Sequence, residues 1–316
     1  MNTNEELFLL LADELNFSRA AKKAFISQQC LSAHIKKLED KYGTKLFLRK
    51  PSVKLTPSGL MVRDTLLSIR QAETGLKERL SELEKGRSGI IRAGINSTRA
   101  SIIIPEIFFR FHTVYPDVKL EFTTDETSRL TEVLEKGLLD CVLGINGIYS
   151  QNLVSEELSK ENLYFMVSDS FLCKNPDIKK AALSGSPISL SLLDGCEIIS
   201  DTGISTTWQL INRLASFNNT HFKPVLSMEN YDAAEKICRF NPLGFFCPEI
   251  VLKKILKDNA AYGKSNRLVP VSVSGLDRVI NFSLVYFKNR EFPRYMLDFF
   301  NLVHHVTERM IQCSPE

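Results

Sequence analysis

Three features are missing from this sequence, and each absence excludes a class of protein. No apolar run among the 316 residues approaches the roughly 20 residues that a membrane-spanning helix needs, so no membrane partner is expected. The chain lacks the G-x-S-x-G, P-loop and H-E-x-x-H motifs, and its five histidines assemble no evident site. We therefore expect neither an enzyme nor a bound cofactor.

Paired cysteines are also missing. The seven cysteines show no C-x-x-C spacing and form no cluster with histidine at metal-ligand spacing, which argues against a disulfide framework and a metal site. The first residues carry acids in place of the basic segment of a secretory signal peptide. Together these observations lead us to expect a cytoplasmic protein without a bound metal.

The charge of the chain is unevenly distributed. Between Leu15 and Leu55 ten Lys or Arg residues stand against two acids, a net charge of +8, whereas the whole chain carries only +3. The length predicts two or three domains, and the composition is that of a soluble globular protein. The N-terminal domain is basic and the rest of the chain is mildly acidic, which suggests that the N-terminal domain binds a polyanion.

Residues 1–58, called the head below, predict a winged helix-turn-helix. Three helices are expected over 4–15, 19–24 and 28–42. Ser18 is the expected N-cap of the second helix and Ser27 of the third, which Gly43 ends. The alternation in LFLRKPSVKLT then predicts a β-hairpin, the wing, with basic residues near its tip.

One face of the third helix is apolar, and the opposite face collects amides, small groups and positive charges. In a helix-turn-helix this helix enters the major groove, where an amide can pair with adenine and Lys or Arg contacts phosphates. The candidate DNA contacts are Ser27, Gln28, Gln29, Ser32, Ala33, Lys36 and Lys37, with Arg49, Lys50 and Lys54 from the wing. A solvated helix on a protein-binding surface is the alternative interpretation.

The head resembles the N-terminal domain of the LysR-type transcriptional regulators. The matching positions are Phe17, Ala20, Ala21, Ser27, Gln28, Leu31, Ser32, Ile35, Leu38, Glu39, Gly43, Leu46, Phe47, Arg49, Leu55, Thr56 and Gly59. The family often has Pro and Ala after the first glutamine, where this chain has Gln29 and Cys30. The operator sequences of relatives therefore do not carry over to this chain. The resemblance implies double-stranded DNA, a small-molecule effector and RNA polymerase as partners.

Residues 59–88 predict a long linker helix and a hinge. Apolar residues follow a heptad alternation that is interrupted at Glu73, and a helix of this length extends roughly 40 Å. The candidate dimerisation residues are Val62, Leu66, Ile69, Leu76, Leu80 and Leu83. Packing against the helix's own domain is the alternative, and the resemblance implies a dimer or a tetramer.

Residues 89–316, called the body, predict a two-lobed α/β domain. Strands and helices alternate, which indicates a largely parallel sheet, with lobe 1 over about 89–161 and 268–316 and lobe 2 over about 162–267. The body resembles the effector domain of the same family, which is similar to type 2 periplasmic binding proteins. The matching residues are Gly89, Pro105, Pro116, Gly137, Asp140 and the run LGFFCP.

Ligands of open α/β sheets bind at the carboxyl ends of strands, and hydroxyls at helix starts suit a small anion. The candidate effector contacts are Ser97, Thr98, Arg99, Thr127, Asp201, Thr202 and Cys247. Helix capping alone is the alternative role for the hydroxyl residues. We expect an organic anion as effector and an interrupted palindrome as DNA target.

Two other functions compete with an effector-controlled regulator. A redox-sensing regulator would use Cys196 with Cys238 or Cys247, although their spacing matches no known redox pattern. A solute-binding protein for transport would share the two-lobed body, but the basic helix-turn-helix argues against it.

Overall fold

The computed structural model describes residues 1–85, 88–147, 149–203, 205–263 and 266–312, with the side chains of 78, 79, 81–85, 311 and 312 left out. The chain forms three parts in order: the head, one long helix, and a body built on two five-stranded sheets. Within the described residues, no helix combines the length and apolar character needed to cross a membrane.

The head contains three helices and a short hairpin. They are α1 (Thr3–Glu14), α2 (Phe17–Lys23), α3 (Gln28–Tyr42), β1 (Phe47–Leu48) and β2 (Lys54–Leu55). Ser27 caps α3, and Gly43 ends it at φ +65°, a left-handed conformation that favours glycine. Asn16, not Ser18, caps α2, because its side chain accepts from the Arg19 N–H at 3.0 Å. The winged helix-turn-helix is confirmed.

The linker helix α4 (Pro57–Lys85) begins directly after the wing. Thr56 fixes its start, because its hydroxyl accepts from the Gly59 N–H at 2.9 Å and Pro57 occupies the first helical position. The expected hinge at 86 and 87 lies outside the described residues.

Lobe 1 surrounds a sheet with the strand order β4-β3-β5-β12-β6. Its elements are β3 (Gly89–Ile95), α5 (Ser97–Val114), β4 (Val118–Thr124), α6 (Thr127–Glu135), β5 (Cys141–Ile145), β6 (Leu153–Glu161), β12 (Ile280–Phe287) and α12 (Arg294–Gln312). Strand β3 is parallel to β4 and β5, whereas β12 is antiparallel to both of its neighbours. The sheet is therefore mixed.

Lobe 2 surrounds a second sheet with the order β11-β7-β10-β8-β9. Its elements are β7 (Leu163–Ser168), α7 (Asp169–Lys174), α8 (Pro176–Ser184), β8 (Glu197–Ser200), α9 (Thr206–Phe217), β9 (Lys223–Ser227), α10 (Tyr231–Phe240), β10 (Gly244–Pro248), α11 (Glu249–Asp258) and β11 (Leu268–Ser272), with short 3-10 helices at 190–193 and 259–261.

The expected boundary at residue 268 is wrong, because β11 belongs to lobe 2. Leu268 to Ser272 pair antiparallel with β7 along their whole length, and the chain returns to the lobe 1 sheet only at β12. The chain thus crosses between lobes twice, after β6 and after β11. Helices α5, α6, α9, α10 and α11 each follow a strand, so their starts gather at one cleft between the lobes.

Candidate nucleic-acid interface and inter-lobe cleft

Helix α3 buries one face in the head and exposes the other. Leu31, Ile35 and Leu38 are at most 1% exposed. Of the expected DNA contacts, all are exposed except Ser32, which is half-buried. The two glutamines differ, because the Ser18 hydroxyl donates to Gln28 Oε1 at 2.9 Å, whereas the Gln29 side chain makes no hydrogen bond within the described residues. Gln29 is thus the amide that is free to meet a base edge.

Arg49 and Glu39 hold the wing against the helices of the head. The Arg49 guanidinium lies over the Phe17 ring, 5.0 Å from its centroid. The buried Glu39 carboxylate accepts from the Leu46 N–H and from Lys45 Nζ, each at 2.9 Å. Burial raises the pKa of Glu39, but these hydrogen bonds outweigh it and hold the pKa below its ordinary value. The ionised Glu39 carboxylate therefore stabilises the start of the wing, which carries Arg49.

The expected dimerisation residues separate into two groups along α4. Leu66 is 1% exposed and belongs to the core of the head, which Val62 also contacts, so its placement in a dimer seam is corrected. Ile69, Leu76 and Leu80 are 42%, 56% and 50% exposed and stay available to a second copy. The side chain of Leu83 lies outside those that the structure describes.

The linker helix also packs against lobe 1 of its own chain. Gln71 is 3% exposed, and Arg290 Nη1 donates to its Oε1 at 3.2 Å. Arg290 also pairs with Asp140 at 2.7 Å, and Asp140 accepts from the Arg92 N–H at 2.7 Å. Further along α4, a Cβ at Gly75 would lie 2.6 Å from the Glu291 carbonyl, so glycine permits the close approach. These contacts join the linker to lobe 1.

The cleft between the lobes opens where α5 starts. Asn96 accepts from the N–H groups of Thr98 and Arg99, at 3.0 and 3.3 Å, which leaves the hydroxyls of Ser97 and Thr98 at the cleft. The cavity is small, with a volume of about 70 Å³. The cavity is lined by Asn96, Ser97, Thr98, Arg99, Glu126, Ile145, Asp201, Ser205, Thr207, Glu229, Tyr231 and Pro248.

Several expected effector contacts have structural partners instead. Thr127 is 3% exposed, and its hydroxyl accepts from the Ile145 N–H at 2.9 Å, which excludes it from the cavity lining. Thr202 is exposed and donates to Glu229. Cys247 is fully buried beneath the cleft. Arg99 does line the cavity, although its Nη2 is paired with the buried Glu161 at 2.8 Å.

Two carboxylates in the cleft, Glu126 and Glu229, were not foreseen, whereas Asp201 was among the expected effector contacts. Glu126 from lobe 1 meets Asp201 and Glu229 from lobe 2, and none of the three forms an ion pair with a described residue. Burial raises the pKa of Glu126, and the charges of Asp201 and Glu229 raise it further. Each of these acids lies between the end of a strand and the start of the next helix. This position in the sequence could have identified them as cleft residues.

Comparison with known families assigns both parts of the chain. Residues 5–60 match the description "Bacterial regulatory helix-turn-helix protein, lysR family", and residues 84–308 match "LysR substrate binding domain". The second match alone covers more than two thirds of the chain. The chain belongs to the LysR family.

Relatives of this LysR-family chain include named regulators. It is 31% identical over 139 residues to the DNA-binding transcriptional dual regulator OxyR of Escherichia coli, which is 44% of this chain and 46% of OxyR. It is 31% identical over 125 residues to the regulator YtlI of Bacillus subtilis, 40% of this chain and 41% of that one. These matches span about half the length of each relative or less.

Solved structures share the fold of the whole LysR-family chain. A full-length OxyR variant from Pseudomonas aeruginosa has a TM-score of 0.61 at 19% identity and covers 98% of this chain and 95% of its own. ArgP from Mycobacterium tuberculosis has a TM-score of 0.64 at 14% identity and covers 97% of both chains. The two-lobed body thus has the fold of the expected effector domain of this family.

The cysteines of this LysR-family chain lie in environments that disfavour thiolates. Burial and the nearby Asp194 raise the pKa of Cys196, and burial raises the pKa of Cys238 to about 12. Burial also raises the pKa of Cys247. Because the thiolate is the reactive form, these three positions are poorly suited to oxidation. Cys313 lies outside the described residues.

Proposed function

We propose that this protein is a transcriptional regulator that binds double-stranded DNA and responds to a small molecule in the inter-lobe cleft. The observation that carries the proposal is the exposed face of α3, where an unengaged Gln29 stands among positive charges beside a positioned wing. A merely solvated helix face does not need a free amide on the same helix as the exposed Lys36 and Lys37. A related full-length structure, CbnR, is described as complexed with its target DNA.

The base-contacting role predicts different effects for an amide and a lysine. Gln29→Ala should relax the preference at one base position per half-site by about 1–3 kcal/mol. Lys36→Ala should weaken all sequences alike and reduce the slope of log K against log salt by about 0.9. Duplexes selected from a random library by the wild-type protein serve as targets for both variants. Unchanged base preference in Gln29→Ala would contradict the base-contacting role.

The operator should be an interrupted palindrome, because one α3 per chain and a paired linker helix place two identical half-sites about a two-fold axis. The exposed Ile69, Leu76 and Leu80 supply the linker surface for this dimer. Two bodies would pair to give a tetramer, for which Phe109 and Phe217, 76% and 88% exposed, offer apolar contact area. In Phe109→Asp, sedimentation should show dimers where the wild type forms tetramers.

The effector is proposed to be a small organic molecule with a carboxylate, held by Ser97 and Thr98 at the start of α5. Hydroxyls and oriented N–H groups at a helix start favour negative charge. Thr98→Val keeps the side-chain shape and deletes the hydroxyl, so it should lose the response to effector and keep DNA affinity. A normal response in this variant would reduce Thr98 to a structural residue.

The redox alternative at Cys196, Cys238 and Cys247 gains support from relatives named hydrogen peroxide-inducible genes activators. The buried thiols of this chain favour the small-molecule mode. Alkylation of the native protein with and without peroxide separates the two, since a redox switch requires a peroxide-sensitive thiol. A DNA-bound regulator in the cytoplasm would act through contact with RNA polymerase.

A further inference from the structure

The cleft of this chain carries more negative charge than an anionic effector alone would tolerate. Arg99 is neutralised by Glu161 at 2.8 Å, Asp125 lies 3.6 Å from Arg129, and the neighbouring Lys254 is paired with Asp232. The charges left without an ionic partner among the described residues are those of Glu126, Asp201 and Glu229.

Glu126 faces the other two acids across the cleft. The backbone N–H of Thr206 at the start of α9 is near enough to lower the pKa of Glu126, so a side chain of lobe 1 reaches lobe 2. Asp201 and Glu229 both lie on lobe 2 and raise the pKa of Glu126 by their charge. Like charges across a cleft repel, whereas a cation between them attracts both sides and favours closure.

Arg99 supplies a separate observation in the same cavity. Its side chain is 2% exposed, it lines the cavity, and its Nε has no hydrogen-bond partner among the described residues. A buried donor without a partner is unfavourable, and an acceptor oxygen of a ligand would offset this penalty. The cavity thus combines carboxylates that suit a cation with hydroxyls and a buried N–H donor that suit a carboxylate.

A bare metal ion does not fit this arrangement. Across the described ranges, no group of three or more His, Cys, Asp or Glu side chains is placed to hold a metal. An organic ammonium needs no such convergence, because its N–H groups can donate to carboxylates that stand apart.

We propose that the effector is a small zwitterion of the amino-acid class, with its ammonium group between Glu126, Asp201 and Glu229. Its carboxylate lies against Ser97 and Thr98, above Arg99. This inference rests on the proposed effector site and adds the chemical class that the site selects.

The test uses the full-length protein and the twenty L-amino acids at millimolar concentration, with the midpoint of thermal unfolding as readout. At least one amino acid should raise the midpoint. For each that does, the carboxylic acid lacking the amine and the amine lacking the carboxylate should have little effect. Stabilisation by the amine-free acid to the same extent, or by no amino acid at all, would overturn the inference.

Two variants locate the ammonium site. Glu126→Gln keeps the size and an acceptor oxygen of the side chain, and Glu229→Gln changes an exposed side chain, so both should fold. Each should weaken binding of the stabilising amino acid by about tenfold or more, because a charge-assisted hydrogen bond is lost. Glu132→Gln, at an exposed position of α6, is the matched control and should bind normally. Unchanged affinity in both cleft variants would contradict the assignment.

DNA binding of the same preparations separates this inference from the proposed function. Loss of wild-type binding to its selected duplex would count against the regulator itself. Intact DNA binding without amine-dependent stabilisation would count only against the amino-acid class.

Discussion

The contrast between Leu66 and Leu76 gives a quantitative test of how α4 is used. Leu66→Ala removes a side chain that is 1% exposed in the head core, so it should destabilise the head by about 2–5 kcal/mol. Leu76→Ala truncates a side chain that is 56% exposed, so unfolding of a single chain should change by only about 0.5 kcal/mol.

Pairing should respond in the opposite way. Burying the exposed half of a leucine contributes roughly 1–1.5 kcal/mol, and a two-fold dimer contains the position twice. Leu76→Ala should therefore raise the dimer dissociation constant by roughly 30- to 150-fold. Lys77→Ala, next to it and exposed, should change neither quantity.

Two measurements on the full-length chain follow these effects. Hydrogen exchange of peptides from α1 to α3 reports the stability of the head, and sedimentation equilibrium in a Phe109→Asp background reports pairing through α4 alone. The reasoning is refuted if Leu66→Ala weakens pairing without loosening the head, or if Leu76→Ala leaves the dissociation constant unchanged.

Three further substitutions test buried polar contacts. Thr127→Val should destabilise the body by about 1–3 kcal/mol in urea unfolding, because the Ile145 N–H loses its acceptor, while effector affinity stays unchanged. Arg99→Met strands the buried Glu161 and should cost about 3–5 kcal/mol by tryptophan fluorescence, part of which the double variant with Glu161→Gln should recover. Glu39 has a lowered pKa, so its contribution is complete above the unfolded value of 4.5 and is lost as the pH falls through the folded value; Glu39→Gln should flatten this acid limb in hydrogen exchange of the wing.

Most elements were predictable from local patterns. The caps at Ser27 and Gly43, the hairpin around Lys50, and the strand from Ile280 to Phe287 follow from spacing alone, and the structure confirms them. No helix or strand was predicted between residues 146 and 196, where β6, β7, α7 and α8 lie. Strand β6 shows no regular alternation, because its buried positions are Leu153, Leu158 and Glu161, and its partner β12 is more than 100 residues away.

The site was predictable only in part, because local patterns do not show which residues meet across the fold. Ser97 and Thr98 were found since both open a helix after a strand. Thr127 satisfies the same pattern, yet its hydroxyl turns inward to Ile145. The acids at 126 and 229 come together only when the two lobes face each other, and a heptad pattern could not show that Leu66 belongs to the head.

The contacts of α4 with both the head and lobe 1 have a mechanical consequence. Leu66 is held by the head and Gln71 by lobe 1, five residues and about 8 Å apart along one helix. Over so short a span a helix does not bend, so the head and lobe 1 of one chain form a single rigid arm in this conformation. Lobe 2 is joined to lobe 1 by two chain crossings, so it is the part of the chain that the proposed effector would move. If the proposed effector changes the spacing between two heads, the change would pass from lobe 2 of one copy to the arm of another, so the proposed response would require assembled copies.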